Sequence, residues 1–170
     1  FYRFWGKTRL RRYFWGHVAF EGEPLEYTGR AMELFLGFLM VVAILVPVVL
    51  LLGIIDYVLT GYPELRVLSG VGQFVVAIFL VNFAIFRARR YRLTRTQWRG
   101  IRGGQTGSAM RYALIALGWL IVVLLSLGLA YPVMRTSLQR YRTENTWFGT
   151  IGLHFDGRAR ALLPHWLLAW

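Results

Sequence analysis

The residues best suited to chemistry lie in Gly100-Ile101-Arg102-Gly103-Gly104-Gln105-Thr106-Gly107, preceded by Arg99. Backbone amides in a glycine-rich loop can cradle a phosphate, and Arg99 with Arg102 would hold its charge. The stretch lacks the Lys-Ser/Thr ending of a nucleotide-binding loop and no expected strand precedes it. Its two readings are a turn linking neighbouring elements and a site for lipid phosphate. Three Arg-Tyr pairs, Arg12-Tyr13, Arg90-Tyr91 and Arg140-Tyr141, form one anionic site if they converge. If they do not, each anchors its own helix at a membrane interface, tyrosine at headgroup depth and arginine beyond it. The candidate set for an anionic headgroup is therefore Arg12, Tyr13, Arg90, Tyr91, Arg99, Arg102, Arg140 and Tyr141. His17, His154 and His165 have no metal-ligand spacing, and the absence of cysteine excludes disulfides and thiolate chemistry. No acid, base and nucleophile fall into a catalytic pattern, so neither metal, cofactor nor enzymatic activity is expected.

A repeated frame must position these residues. It reads Arg90-Tyr91, Trp98, Gly107 and Ala109; subtracting 78 gives Arg12-Tyr13, Phe20, Gly29 and Ala31, and adding 50 gives Arg140-Tyr141, Phe148, Gly157 and Ala159. Neither comparison needs a gap, and Tyr27 and Phe155 correspond between the outer frames. The frames at 12–31, 90–109 and 140–159 are expected to be three copies of one module. Period-two spacing of Val18 and Phe20, then Leu25 and Tyr27, around Gly22-Glu23-Pro24 predicts a hairpin, so each module is a basic helix followed by a short hairpin. Phe20, Trp98 and Phe148 are expected to pack in the hairpins.

Apolar runs fill the space between frames. At 56% hydrophobic and 16% charged, the chain is too apolar for a soluble surface. Residues 34–55 contain no charge and as a helix would span about 33 Å, enough for a hydrocarbon core of about 30 Å. Further runs cover 67–86 and 112–134, and a partial one covers 161–170. The partial run and the start inside a frame predict that these residues belong to a longer membrane protein. A net charge of +12 raises nucleic acid as a partner, but 19 of the 20 Lys and Arg lie in residues 3–30, 87–111 and 135–160, beside the apolar runs. That placement is what anionic headgroups and the positive-inside rule select, so no nucleic-acid partner is expected.

Glu33 opens the first run, Pro47 sits in its middle, and the weakly charged turn 60–66 joins it to the second. The first two frames are therefore expected to face the cytoplasm. If 112–134 crosses once, the third frame lands outside, against the charge rule. If it re-enters, it needs a turn near Leu120 to Val123, where no breaker stands; Gly128 and Pro132 come later. The charge rule favours all three frames on one face. Gln73 and Asn82 are nine residues apart, on opposite faces of a helix, and make no polar stripe.

The runs LRRYFWGHVAFEGEPLEYTG (Leu10 to Gly29), RYRLTRTQWRGIRGGQTGS (Arg90 to Ser108) and LSLGLAYPVMRTSLQRYRTENTWFG (Leu125 to Gly149) resemble the YjgN-like family of bacterial inner-membrane proteins, which carry a domain of unknown function. The resemblance covers nearly the whole chain and implies a multi-span protein longer than this one. It brings no reaction, cofactor or catalytic residue. Where that family often has Tyr-x-Pro-Trp, this chain has Tyr131-Pro132-Val133, which weakens interfacial anchoring there.

The expectation is thus a mainly α fold: a polytopic transmembrane helical bundle with three short basic interfacial helix-plus-β-hairpin repeats, in the bacterial inner membrane. Its expected partners are anionic membrane lipids, with a second copy or another membrane subunit alongside. The expected function is binding or transport of a lipid-like or amphipathic ligand; the alternative is a structural or regulatory scaffold that recruits a partner and moves no substrate.

Overall fold

Two long apolar helices set the architecture of the computed structural model, which describes residues 2–169. In chain order the elements are α1 (Tyr2–Gly16), β1 (Ala19–Phe20), β2 (Glu23–Pro24), β3 (Glu26–Tyr27), α2 (Ala31–Val58), a 3-10 turn (Leu59–Gly61), α3 (Pro63–Thr94), β4 (Thr96–Trp98), β5 (Ile101–Gln105), α4 (Ala109–Leu125), α5 (Tyr131–Glu144), β6 (Thr146–Phe148), β7 (Ile151–Gly152) and α6 (Ala159–Ala169). Helix dominates, with small strand pairs between helices. Two compact units form: Phe1–Ala77 with Arg95–Gly100, and Ile78–Thr94 with Ile101–Trp170.

In the first unit, α2 continues through Pro47 and buries none of its residues. It and α3 are long and apolar enough to cross a membrane. A charged residue near each end of α2 has a partner. Glu33 accepts from Arg95 Nη2 at 2.9 Å. Asp56 accepts from Ser69 Oγ at 2.9 Å and Gln73 Nε2 at 2.7 Å, so Gln73 serves the helix end rather than a polar path. Basic and apolar residues are interspersed around α1 rather than sorted onto two faces. Its order comes instead from packing: Phe4 lies against Phe35 and Phe38, ring centroids 5.7 and 5.3 Å away.

In the second unit, α4 and α5 form an antiparallel pair joined by Trp119 Nε1 donating to Ser137 Oγ at 3.0 Å. The run 112–134 is therefore not one continuous span. It breaks at residues 126–130, later than the Leu120 to Val123 turn expected for re-entry. Leu127 and Gly128 take left-handed φ values of 51° and 90°, and Gly128 N–H closes on Val123 O at 2.8 Å, a glycine-terminated helix end. The core is Phe86, Ala109, Tyr112, Ala116 and Leu138, flanked by Phe83, Ile115, Met134 and Tyr141. Phe86 is fully buried, which stabilises the unit by about 2–3 kcal/mol. α6 docks on α5 through Trp166, which donates to Gly128 O at 3.2 Å and stacks on Tyr131.

Candidate functional site

The hairpin turns come one residue earlier than the Gly22-Glu23-Pro24 reading. Glu21 and Gly22, at φ 50° and 79°, make the turn, which places Glu23 and Pro24 in β2. Arg99 and Gly100 take φ 50° and 74° at positions 78 residues on. Two consecutive positive-φ residues give the loop that suits the twist of a tight hairpin.

Positions 128 residues apart pair alike. Ala19 faces Pro24 and Phe20 faces Glu23 in β1–β2; Trp147 faces Gly152 and Phe148 faces Ile151 in β6–β7. Leu25 N–H donates to Val18 O at 2.9 Å, and Leu153 N–H to Thr146 O at 2.9 Å. Links from one frame to the next also match. β3 pairs with β4 through Glu26↔Gln97 and Tyr27↔Thr96, and β5 pairs with β6 through Gly104↔Trp147 and Gln105↔Thr146. Thr28 N–H and hydroxyl both donate to Arg95 O, at 2.9 and 3.2 Å. Thr106 does the same to Asn145 O, at 2.8 and 3.3 Å.

The arginines of the outer Arg-Tyr pairs are used locally. Arg12 Nη2 donates to Gly29 O at 3.1 Å, and Arg140 Nη2 to Gly157 O at 3.5 Å, so each outer frame closes its arginine onto its glycine. Among the described residues Arg90 makes no matching bond to Gly107. Tyr13 is exposed, against His17. Tyr141 reaches into the second frame, accepting from Ser108 N–H at 3.1 Å and donating to Ser108 O at 3.2 Å. Tyr91 is half-buried and Arg102 exposed. Arg99 is engaged by carboxylates: its Nε lies 3.4 Å from Glu23 and Nη1 4.0 Å from Glu21, over the Trp98 ring. The second and third frames therefore meet through Tyr141 and Asn145, and Arg99 belongs to the first hairpin.

Three residues outside the candidate set carry the stronger signal. Gln105 is 2% exposed and neither side-chain polar atom has a hydrogen-bond partner among the described residues. Arg142 lies 5.7 Å from the centroid of Tyr112, with its Nε buried and unpartnered. The charges of Arg142 and Arg92 act on half-buried Arg89. Phe86, Tyr112 and Tyr141 form an aromatic triangle beside them, centroids 5.3 to 6.0 Å apart. The acids of this unit are Glu144, 4.0 Å from Arg140, and Asp156, 3.1 Å from His154. Elsewhere, an open cleft of about 310 Å³ is lined by Tyr131, Pro132, Arg135, Leu162, His165 and Trp166. No group of three or more His, Cys, Asp or Glu among the described residues could hold a metal ion.

The family model of DUF898, bacterial proteins of unknown function, matches residues 1–170. The chain belongs to DUF898. No curated protein and no solved structure matches this DUF898 chain. Gln105 was legible in its sequence, since it stands where the other frames have Tyr27 and Phe155. Arg142 and Tyr112 carry no such signal, because their proximity depends on the α4–α5 fold-back.

Proposed function

We propose that this DUF898 chain is a multi-pass protein of the bacterial inner membrane, built from three copies of one basic module, that binds an anionic, lipid-like ligand at its module face. One observation carries the membrane reading: α2 buries none of its 28 residues. Its charges, Glu33 and Asp56, are 23 positions apart, about 34 Å along a helix, and both have polar partners. An apolar helix with no residue buried within its own chain needs an apolar surrounding, and its length matches a hydrocarbon core. Frame-to-frame pairing at identical registers supports the module reading, since the first and second frames each pass a strand and a threonine to the next.

The ligand reading rests on charge. Residues 78–94 and 101–170 contain eleven arginines and two acids. Such an excess beside apolar helices attracts anionic headgroups. Binding is preferred to transport because the polar groups of α2 and α3 do not line a path: Asp56, Ser69 and Gln73 cluster at one end, and Asn82 donates to Ile78 O in its own helix.

The test is the lipid composition of the full chain purified from membranes in uncharged detergent. Enrichment of phosphatidylglycerol or cardiolipin over the bulk membrane supports the reading. Bulk composition counts against the ligand, and a chain that stays in solution without detergent counts against the membrane.

A further inference from the structure

In the first frame, Arg11 Nη1 donates to the Tyr27 hydroxyl at 3.2 Å, and its guanidinium lies 5.8 Å from that ring. Tyr27 is itself buried, and its ring fills the space over Gly29 where a Cβ would stand. The third frame does the same with Phe155 over Gly157. Seventy-eight residues after Arg11 and Tyr27 stand Arg89 and Gln105. The second frame thus keeps the arginine and replaces the ring with an amide. Gln105 makes no bond to Arg89, and a Cβ at Gly107 would meet Asn145 and Tyr141 instead.

A fully buried amide with neither end paired is destabilising until something bonds to it. The arginines add to the imbalance. Thr146, opposite Gln105 in the ladder, donates its hydroxyl to Arg142 O at 2.7 Å, which brings the end of α5 to the same strand register. Arg142 and Arg89 act on each other as like charges, and among the described residues neither has an ion pair with a carboxylate. Half-buried cations gathered without an anion, beside an unpaired amide that can donate and accept, are complementary to one chemical group.

We propose that the second frame holds a phosphoryl group between Arg89, Arg142 and Gln105. The arginines neutralise its oxygens from the half-exposed side. The Gln105 amide N–H donates to an oxygen at depth and its carbonyl accepts from a hydroxyl of the ligand. Where the outer modules place an aromatic ring over their glycine, this one has Asn145 and Tyr141 over Gly107 and an unpaired buried amide at position 105. The inference deepens the lipid reading above by naming the group recognised, and it also admits free phosphate as the source.

The experiment uses the full chain in uncharged detergent and reads the thermal unfolding midpoint. Inorganic phosphate is titrated against chloride at equal ionic strength, and phosphatidylglycerol is compared with phosphatidylcholine in mixed micelles. A saturable rise with inorganic phosphate assigns a free phosphate or a soluble phosphate ester; a rise with phosphatidylglycerol alone assigns a lipid headgroup. Either response should weaken at least tenfold in apparent affinity in Arg89→Gln and Arg142→Gln. Gln105→Phe restores the residue type of the outer modules and should lose the response with an unchanged or higher starting midpoint. If Gln105→Phe does not fold, the half-buried arginine variants carry the test. No response in the unsubstituted chain, an equal response to chloride, or an unaltered response in both arginine variants overturns the site. Enriched anionic lipid together with an unaltered response in those variants would remove this site and leave the broader lipid reading standing.

Discussion

Thr28 donates twice to one acceptor, the carbonyl of Arg95, through its backbone N–H at 2.9 Å and its hydroxyl at 3.2 Å. Thr106 treats Asn145 in the same way. The threonine thus ties one strand to the carbonyl that ends the next module's helix. Thr28→Val keeps the N–H bond and removes the hydroxyl bond, so it should cost about 0.5–1.5 kcal/mol in reversible unfolding. Thr106 is exposed, so Thr106→Val should cost less. Equal, negligible losses at both sites would show that the hydroxyl bonds add nothing.

Gly22 and Gly107 share a φ of 79° but differ in surroundings. A Cβ on Gly22 meets nothing within 4 Å, whereas one on Gly107 would stand 2.7 Å from Asn145 Oδ1. Gly22→Ala should therefore cost only the left-handed strain, about 1–2 kcal/mol. Gly107→Ala adds displacement of Asn145, whose Nδ2 donates to Tyr141 O at 2.7 Å, and should cost about 1–3 kcal/mol more. Unfolding of the two variants side by side measures the difference.

Glu33 and Arg95 join the start of α2 to the segment after α3 with side chains 31% and 35% exposed. Partial exposure keeps the pair modest. A double-mutant cycle with Glu33→Gln and Arg95→Gln should give a coupling of about 0.5–1 kcal/mol that shrinks at high salt. A salt-independent coupling would mean that packing, not charge, joins them.

Arg99 is engaged by Glu21 and Glu23. Arg99→Gln should leave co-purified anionic lipid within error of the unsubstituted chain. A loss as large as that in Arg142→Gln would return Arg99 to the ligand site.

What the sequence revealed followed from local rules. Runs 34–55 and 67–86 lie inside α2 and α3, because hydropathy of that length leaves few alternatives. The 112–134 run was harder. Its break depends on Leu127 adopting a left-handed conformation that its residue type does not advertise, and only Gly128 was visible punctuation. The turn at Glu21-Gly22 was displaced for a similar reason, since Glu21 also takes positive φ. At the candidate site, the Arg-Tyr pairs stood out by repetition, yet two of the arginines close onto their own module's glycine. Departure from the repeat was the more informative sign. Gln105 differs from Tyr27 and Phe155 in a position where burial makes an unpaired amide costly.

The most direct test of the membrane account is single-cysteine accessibility in sealed inner-membrane vesicles, since the chain contains no native cysteine. Tyr62 lies in the turn before α3, Thr94 ends α3, and Thr150 lies between β6 and β7. The account predicts that Tyr62→Cys labels from one side and that Thr94→Cys and Thr150→Cys both label from the other. Labelling of Thr94→Cys and Thr150→Cys from opposite sides would contradict a common module face, and labelling of Tyr62→Cys from the same side as Thr94→Cys would contradict α3 as a span.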